Sequence, residues 1–268
     1  MTDAQKKFAK VSEFFDQLSP NHHPNHPPNV DDLDWEIIKR KYLPSVVSPK
    51  TLEQNNYSCE EQLASLQFLT PEGEPNHAAI LCFHPDPRRY MPGAYIQFLR
   101  INGTDLSEPG ADHMEMNGSI FYQLQQMKDK IKAHNWISYV IGGGRQESAD
   151  YPHAAIEQAV CNAVMHRQYN HTNAPARCYW FSDRIEIRSP GGCFGKAGNE
   201  NFGEDNQTAD YRNPVVSDAL KNMKFANKLG TGISAIKHAM SNNGNPAPIF
   251  TANDNLTSII LPSKPRRN

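Results

Sequence analysis

The sequence has 268 residues, of which 38% are hydrophobic and 21% are charged, so a packed core is possible and whole-chain disorder is excluded. Its 27 basic residues are balanced by 29 acidic ones, which excludes a general electrostatic attraction to nucleic acid or to an anionic membrane. No apolar run approaches the roughly 20 residues of a membrane-spanning helix, and the charged N-terminus lacks a secretory signal pattern. We therefore expect a cytoplasmic protein that makes no membrane contact.

The first 145 residues predict an N-terminal arm and a small α/β unit. Residues 1–18 have the spacing of a short amphipathic helix, and the Pro-, His- and Asn-rich stretch after them predicts a linker, which completes an arm of residues 1–30. The α/β unit, residues 31–145, contains predicted helices at 31–43, 59–69 and 118–134 and a strand at 94–101. In the first of these helices four apolar residues have the spacing of one helix face: Leu33, Ile37, Ile38 and Tyr42.

Residues 146–268 predict a second domain. Its first helix has an apolar stripe, while Asn162 and His166 occupy a neighbouring face. The residues at 193–211 are rich in Gly, Asn and acidic side chains, which predicts an exposed and mobile loop. In chain order the predicted elements are a helix at 152–169, a hairpin at 176–189, the loop, an ordered segment at 212–223, a glycine turn that opens a helix at 229–240, and a strand-like segment at 248–262.

The cysteines and histidines give little indication of a metal site. Five cysteines form an odd set without a Cys-x-x-Cys pair, which argues against a disulfide framework and a thiolate zinc site and favours buried thiols. Three histidines, His22, His23 and His26, are close enough in sequence to chelate a metal. The prolines around them are more typical of a linker, and both interpretations remain open.

A glycine turn at the start of a helix is a common phosphate site, because the backbone can approach the anion and free N–H groups favour negative charge. Gly230, Thr231 and Gly232 fit that description, although a plain turn is the alternative. The GGCFGK segment at 191–196 lacks the glycine spacing of a Walker loop and the Ser or Thr that follows its lysine. The sequence therefore excludes P-loop ATPase or helicase chemistry.

The order of these parts resembles a known family. The segments at 151–169, 183–192, 212–214 and 229–233 look like the C-terminal portion of bacterial RecG-related transcriptional regulators of the AlbA/Schlafen type. That portion is similar to the GHKL, or Bergerat-fold, ATPase domain of gyrase and the histidine kinases. The segment at 76–105 also resembles the region before this domain, so the resemblance covers roughly residues 30 to 262. It implies that the chain begins downstream of the N-terminal AlbA domain.

The resemblance implies a fold class, α/β in the form of an α+β two-layer sandwich, with ATP and Mg²⁺ between the Asn-bearing helix and the glycine turns. Asn162 would coordinate Mg²⁺, because an amide oxygen suits this hard ion. The other implied nucleotide-binding positions are Gly191 and Gly192 in the first glycine turn, Gly230, Thr231 and Gly232 in the second, and the flanking His166, Ser189 and Arg212. A surface ion pair for Arg212 and a capping role for His166 remain alternatives.

Departures from the family pattern concern the catalytic position. The family has a Glu four residues before the Asn, where its carboxylate can activate water, and this sequence has Gln158 there. Glu157, a weak candidate for the base, points about 140° away from Asn162 on a helix with about 100° per residue. Ser189 takes the place of the acidic residue that contacts adenine. Two further changes are Gln168 in the HRQY segment and Asn227 before the second glycine turn.

These features predict an ATP-binding regulatory protein with weak or no hydrolysis, which acts in transcription or nucleic-acid-related regulation through a protein partner or as a homodimer. Three lysines in the arm and three basic residues in the KPRRN tail are too few for a phosphate-tracking groove, so DNA contact is expected to be weak or indirect. A degenerate scaffold that no longer binds nucleotide is one alternative. A slow Mg²⁺-dependent ATPase that uses a relayed water or Glu157 is another.

Overall fold

The computed structural model describes residues 27–48, 57–135, 137–140, 146–195, 198–204, 210–226 and 231–265. Some predicted features lie outside these residues: the helix at 1–18, the His22, His23 and His26 cluster, Arg266 and Arg267 of the tail, Asn227 and Gly230. In the described part, no helix is both long enough and apolar enough to span a membrane.

The N-terminal helical segment is more irregular than the single helix predicted at 31–43. It consists of a 3₁₀ turn (Val30–Asp32), α1 (Trp35–Ile37), a π-helical turn (Ile38–Tyr42) and α2 (Leu43–Val46). The Asp34 carboxylate sets the start of α1, because it accepts backbone hydrogen bonds from Glu36 and Ile37. The prediction of one buried face holds for Leu33, Ile38 and Tyr42, whereas Ile37 is half-buried.

Two short helices follow, α3 (Cys59–Ser65) and α4 (His77–Phe83). Ser58 and Glu61 form a capping box at the start of α3, and the side chain of Asn76 caps α4. The α3 helix ends earlier than the predicted 59–69. Phe83 of α4 packs with Tyr42, Phe68 and Phe121, so the N-terminal helices share one aromatic cluster with the next helix.

A six-stranded mixed sheet forms the centre of the molecule, in the order β2-β1-β5-β6-β8-β7. Its strands are β1 (Ile96–Ile101), β2 (Gly110–Met116), β5 (Ala176–Trp180), β6 (Arg184–Pro190), β7 (Ile249–Asn253) and β8 (Leu256–Pro262). Neighbouring strands are antiparallel except β1 and β5, which are parallel. A separate hairpin, which the sequence did not predict, consists of β3 (Ile137–Val140) and β4 (Gln146–Ala149).

Helices contact one face of this sheet, which we call the inner face. The helices on this side are α5 (Ile120–His134), α6 (His153–Met165), α7 (Pro214–Asn222) and α8 (Gly232–Asn243). The α5 and α6 helices contact strands of the sheet, whereas α7 and α8 pack against α6. The α6 helix contacts β5, β6 and β8 and also packs against α5 and α8. Alternate strand residues such as Phe98, Cys178 and Ile187 are buried in the same core as the apolar side of α6. We call the opposite side of the sheet the outer face.

The predicted fold class is confirmed, since the protein is a mixed α/β structure with helices layered on a sheet. The predicted helix at 118–134 and the hairpin at 176–189 are present, and the helix predicted at 152–169 is present but ends at Met165. The segment at 248–262 is two strands rather than one, with a turn at Asp254 and Asn255. Because β1 pairs with β5, the sheet continues across the boundary predicted at residue 145, and separate folding of the two units stays a prediction.

Candidate functional site

Two carboxamides on α6 form the centre of the candidate site. Gln158 and Asn162 are four residues apart and therefore lie one above the other on the same helix face. The Gln158 Nε2 donates a hydrogen bond of 3.0 Å to Asn162 Oδ1. Gln158 is buried and Asn162 is half-buried, so the Asn amide is the one nearer to solvent. The amide oxygen on this face is thus held in place by a neighbour that cannot accept a proton.

The start of α8 lies directly against this amide pair. A Cβ atom at Gly232 would be 3.0 Å from both Asn162 Oδ1 and Gln158 Nε2, so a larger residue there would require the two amides to shift by a few tenths of an ångström. Thr231, just before the helix, is exposed and its carbonyl accepts the backbone N–H of Ala235 at 2.8 Å. The structure therefore brings the described part of the second glycine turn, Thr231 and Gly232, next to Asn162.

The first glycine turn follows β6. Gly191 has φ +96°, and a Cβ there would be 2.8 Å from Gln168 Cβ. Backbone hydrogen bonds tie the turn to the β7–β8 connection, from Gly191 N to Asn255 O at 2.8 Å and from Gly192 N to Asp254 O at 3.2 Å. Both N–H groups are therefore used within the fold, and the left-handed backbone at Gly191 favours glycine at this position.

Arg212 connects α6 to the first glycine turn. Its Nε donates to the carbonyl of His166 at 3.1 Å, and its Nη2 donates to the carbonyl of Gly192 at 2.9 Å. The guanidinium carbon is 5.1 Å from the centre of the Phe194 ring. Within the described residues Arg212 has no carboxylate within salt-bridge distance, and burial lowers the pKa of its guanidinium. The Arg212 guanidinium therefore lies beside the first glycine turn, and the described residues do not place it in the surface ion pair that was the alternative.

His166 ends α6 and is half-buried. Its ring stacks on Tyr211, with centroids 5.3 Å apart and an interplanar angle of 22°. Burial lowers the pKa of His166 to about 4, with a further contribution from the positive charge of Arg212. The imidazole is therefore neutral at pH 7 and serves as a flat packing surface for the residue before Arg212.

The side chains of two predicted site residues, Ser189 and Glu157, contact other parts of the fold. Ser189 is on the inner face, buried, and its Oγ donates a hydrogen bond of 2.6 Å to the carbonyl of Ala163, which ties β6 to α6. The Glu157 carboxylate lies 3.2 Å from Lys128 Nζ of α5, and Glu157 lines a narrow crevice together with Cys161. The Glu157 side chain thus faces α5, whereas the Asn162 amide faces α8.

Sequence reasoning missed the polar residues that hold this arrangement together. Asn213 Nδ2 donates to the carbonyls of Met165 at 2.9 Å and Arg167 at 2.8 Å, which closes the end of α6. Asn199 Oδ1 accepts the N–H of Cys193 at 2.8 Å, and its Nδ2 donates to Asp254 at 2.9 Å. The signal for Asn213 was present in the Arg-Asn-Pro segment, but Asn199 is one of many polar loop residues and carries no pattern.

The residues fit a nucleotide phosphate better than they fit a metal ion. A Cβ would crowd the amide pair at Gly232 and would collide with Gln168 at Gly191, and Arg212 supplies a positive charge beside the first glycine turn. For Mg²⁺, Asn162 contributes one amide oxygen, and the described residues contain no group of three or more His, Cys, Asp or Glu that could hold a metal. Such an ion would therefore depend on phosphate and water oxygens for its other ligands.

Comparison with known proteins supports an ATPase-like interpretation of the C-terminal part. Residues 174–261 match the protein family described as "Putative ATP-dependent DNA helicase recG C-terminal". This part of the chain is ATPase-like. The match includes both glycine turns and Arg212 but begins after α6, and it covers less than half of the 268 residues. None of the curated proteins compared with the chain matches it.

A solved structure supports the fold over nearly the whole chain. It is the crystal structure of the DIP2311 protein from Corynebacterium diphtheriae, with a TM-score of 0.68 and 18% sequence identity. The similarity covers 95% of this chain and 51% of that protein, so the chain spans about half the length of the structure it matches. At this identity the likeness concerns the fold alone.

Proposed function

We propose that the protein is an ATP-binding regulator with a GHKL-like site and weak or no hydrolysis. Two contacts with α6 carry this proposal: Gly232 at the start of α8 lies against Asn162, and Arg212 donates both to the carbonyl of His166 at the end of α6 and to that of Gly192. The similarity of residues 174–261 to an ATPase-like family supports the same interpretation.

Each of these residues has a role that follows from its chemistry. Backbone N–H groups at Thr231 and Gly232 begin α8, where the helix dipole favours a phosphate. Arg212 would exchange its carbonyl partners for phosphate oxygens, which form stronger charge-assisted hydrogen bonds. Asn162 Oδ1 would hold Mg²⁺, which in turn neutralises phosphate charge. Gly191 and Gly192 would lie on the base side of the nucleotide, as the family resemblance implies.

The reason for weak hydrolysis is the amide at position 158. A general base must accept a proton from water, and the Gln158 amide does not do so. The nearest carboxylate along the helix, Glu157, is paired with Lys128 and faces α5. A slow ATPase would therefore require a water relay or a change in the helix, and we propose that binding rather than turnover is the main activity.

The regulatory part of the proposal depends on the residues between Cys193 and Tyr211. The described residues of this segment contact the first glycine turn through Asn199 and contact β7 through Phe202, whose ring is 5.7 Å from that of Phe250. Nucleotide that draws Arg212 toward phosphate would loosen the contact with Gly192 and change this surface. A protein partner or a second copy of the chain in the cytoplasm would recognise the changed surface. Such recognition would fit a role in transcription or nucleic-acid-related regulation.

A degenerate scaffold is the second candidate, and a specific observation favours it. The Asn162 amide, the Gly232 backbone and the Ser189 hydroxyl are all packed against protein groups. If these contacts were permanent, the site would no longer bind nucleotide, and its residues would only stabilise the fold. In that case the protein would act through its surface alone.

Titration calorimetry with ATP and Mg²⁺ on the full chain separates the two candidates. We expect binding in the wild type, and ATP at 100 times its dissociation constant should stabilise the fold by about 2.7 kcal/mol. Asn162→Ala should weaken binding in the presence of Mg²⁺, whereas Asn170→Ala, a change at an exposed position after α6, should not. A folded wild-type sample without binding heat or thermal shift at millimolar nucleotide would reject ATP binding and favour the scaffold.

A further inference from the structure

The outer face of the sheet carries a continuous polar row. The strand registers place its members directly opposite one another, from one edge of the sheet to the other: Glu115, Gln97, Arg177, Arg188, Ser258 and Thr251. Their neighbours along each strand, such as Phe98, Cys178 and Ile187, are buried on the inner face. Since side chains alternate along a strand, the row belongs to the opposite side of the sheet from α6.

Two arginines in this row oppose each other. Arg177 of β5 and Arg188 of β6 are register partners. Like charges directly opposite on neighbouring strands destabilise a sheet, so this pair costs stability unless an anion lies between the two groups. Within the described residues Arg177 has no carboxylate partner, and its Nε donates to Gln97 Oε1 at 3.2 Å.

The surrounding carboxylates neutralise Arg188 but not Arg177. Glu186 accepts hydrogen bonds from Arg184 at 2.6 Å and from Arg188 at 2.5 Å, and Asp183 also pairs with Arg184 at 2.9 Å. At one edge of the row, Glu115 pairs with Arg88 at 2.8 Å. The excess positive charge of this group is therefore that of Arg177, whereas the whole chain has a net charge of −2.

Aromatic rings lie beside the arginines. Tyr179 is the register partner of Glu186 and of Leu99, in the row next to the polar row. The Arg188 guanidinium is 5.3 Å from the centre of the Tyr179 ring. Just before the start of β1, the Arg88 guanidinium is 4.0 Å from the centre of the Tyr95 ring. Aromatic rings and guanidinium groups are therefore neighbours on this face.

We propose that this outer face binds single-stranded nucleic acid, with phosphate between Arg177 and Arg188 and a base stacked on Tyr179. Guanidinium groups match phosphate geometry, and aromatic side chains on an open sheet stack unpaired bases. The bases of a duplex are already stacked on each other and are not free to stack on a sheet face. The surface is on the opposite side of the sheet from the ATP site proposed above, so it does not depend on that site.

Fluorescence anisotropy with labelled oligothymidine and oligouridine tests this proposal on the full chain without nucleotide. We expect binding at low salt to both strands, weaker binding to a duplex, and a linear fall in log affinity with log salt. Arg177→Gln should lower the magnitude of that slope by about 0.7, the value for one lost phosphate contact on a single strand. Tyr179→Leu should weaken binding about tenfold, the effect of one lost stacked base.

A control substitution and a competitor complete the test. Arg40→Gln removes an exposed arginine from the N-terminal helical segment, away from the sheet, and should leave the salt slope unchanged. Thermal unfolding shows that each variant is folded. The proposal is overturned if the wild type does not bind single strands at low salt, or if Arg177→Gln and Arg40→Gln behave alike. It is also overturned in favour of an acidic protein partner if polyglutamate displaces the strand as well as unlabelled oligothymidine does.

Discussion

At the scale of single residues, the most informative feature is the hydrogen bond between Gln158 and Asn162. It fixes the orientation of the Asn162 amide, because Gln158 donates to the Oδ1 oxygen. The position that would hold a catalytic carboxylate in the resembling family is therefore occupied here by an amide that orients Asn162, the residue proposed to hold Mg²⁺. This is consistent with a protein that binds a nucleotide and releases it unchanged.

The substitution Gln158→Glu tests that interpretation. A carboxylate only accepts hydrogen bonds, so Asn162 would turn its Nδ2 toward the introduced carboxylate, which could then activate water. If the site binds ATP, we expect phosphate release to rise by a factor of about 10² to 10⁴, the usual contribution of a general base. The double variant with Asn162→Ala should return to the background rate. Bound ATP without any gain in rate would show that more than the base is missing.

His166 and His77 predict a specific dependence of stability on pH. Burial lowers the pKa of each imidazole to about 4, below the value of about 6.5 in an unfolded chain. The unfolded state therefore binds protons first as the pH falls, and the free energy of unfolding should decrease between about pH 6.5 and pH 4. His166→Phe keeps a ring against Tyr211 and should reduce this decrease.

Urea unfolding at a series of pH values measures the effect of His166→Phe. The matching substitution His77→Phe should remove a comparable part of the pH dependence, and the double variant should remove both parts. An unchanged pH dependence in the His166→Phe variant would contradict the buried neutral imidazole.

At the scale of secondary-structure elements, the site is held by contacts between elements rather than within them. Ser189 ties β6 to α6, Asn213 closes the end of α6, and Arg212 joins α6 to the first glycine turn. Backbone hydrogen bonds also join the Gly191–Gly192 turn to the β7–β8 connection. A change in one of these elements is therefore expected to move the others.

Gly191→Ala tests the first glycine turn. A Cβ on the left-handed backbone costs about 1–2 kcal/mol, and the contact with Gln168 Cβ at 2.8 Å adds an overpacking cost of about 1–3 kcal/mol. Gly73→Ala is the matched control, because Gly73 has φ +82° but no atom within 4 Å of the added Cβ. Denaturant unfolding should show a larger loss for Gly191→Ala. Equal losses would mean that the turn has room for a side chain.

At the scale of the whole molecule, one sheet and one core join the two halves of the sequence. The β1–β5 pairing connects residues 96–101 with residues 176–180, and α5 packs against α6. Apolar residues from both halves, including Phe98, Ile131, Ile156 and Ile187, belong to one buried cluster. Because strands and helices from both halves form the sheet and its covered inner face, each half alone would lack part of that packing.

A fragment of residues 146–268 is therefore expected to lack a cooperative unfolding transition. Removal of β1 leaves β5 as an unpaired edge, and removal of α5 exposes the apolar side of α6. The full chain should unfold in one transition, with calorimetric and van't Hoff enthalpies in agreement. Calorimetry and thermal unfolding followed by circular dichroism, on the full chain and on the fragment, test whether each unfolds cooperatively. A fragment that melts cooperatively would instead support the domain boundary predicted at residue 145.

Much of the local structure is predictable from the sequence. The 3.6-residue period of residues 152–169 predicts α6 and places Gln158 and Asn162 on one face, and the turn residues between 180 and 184 predict the β5–β6 hairpin. The irregular N-terminal segment was missed because the hydrophobic period alone does not detect a π-helical turn. The single strand expected at 248–262 was wrong because the Asn-Asp-Asn run at 253–255, whose residues favour turns, divides the segment into β7 and β8.

The sequence by itself determined most of the longer helices and strands and their amphipathic faces, because caps, turns and side-chain periodicity act over a few residues. Only the tertiary structure decided that β1 runs parallel to β5, that the Ser189 hydroxyl turns inward to α6, and that Arg212 reaches Gly192. It also placed Arg177 opposite Arg188, although neither lies in a basic stretch of the chain. The physical reason is that strand register is set by the packing of a whole sheet on its helices, and distant residues meet only when that packing is complete.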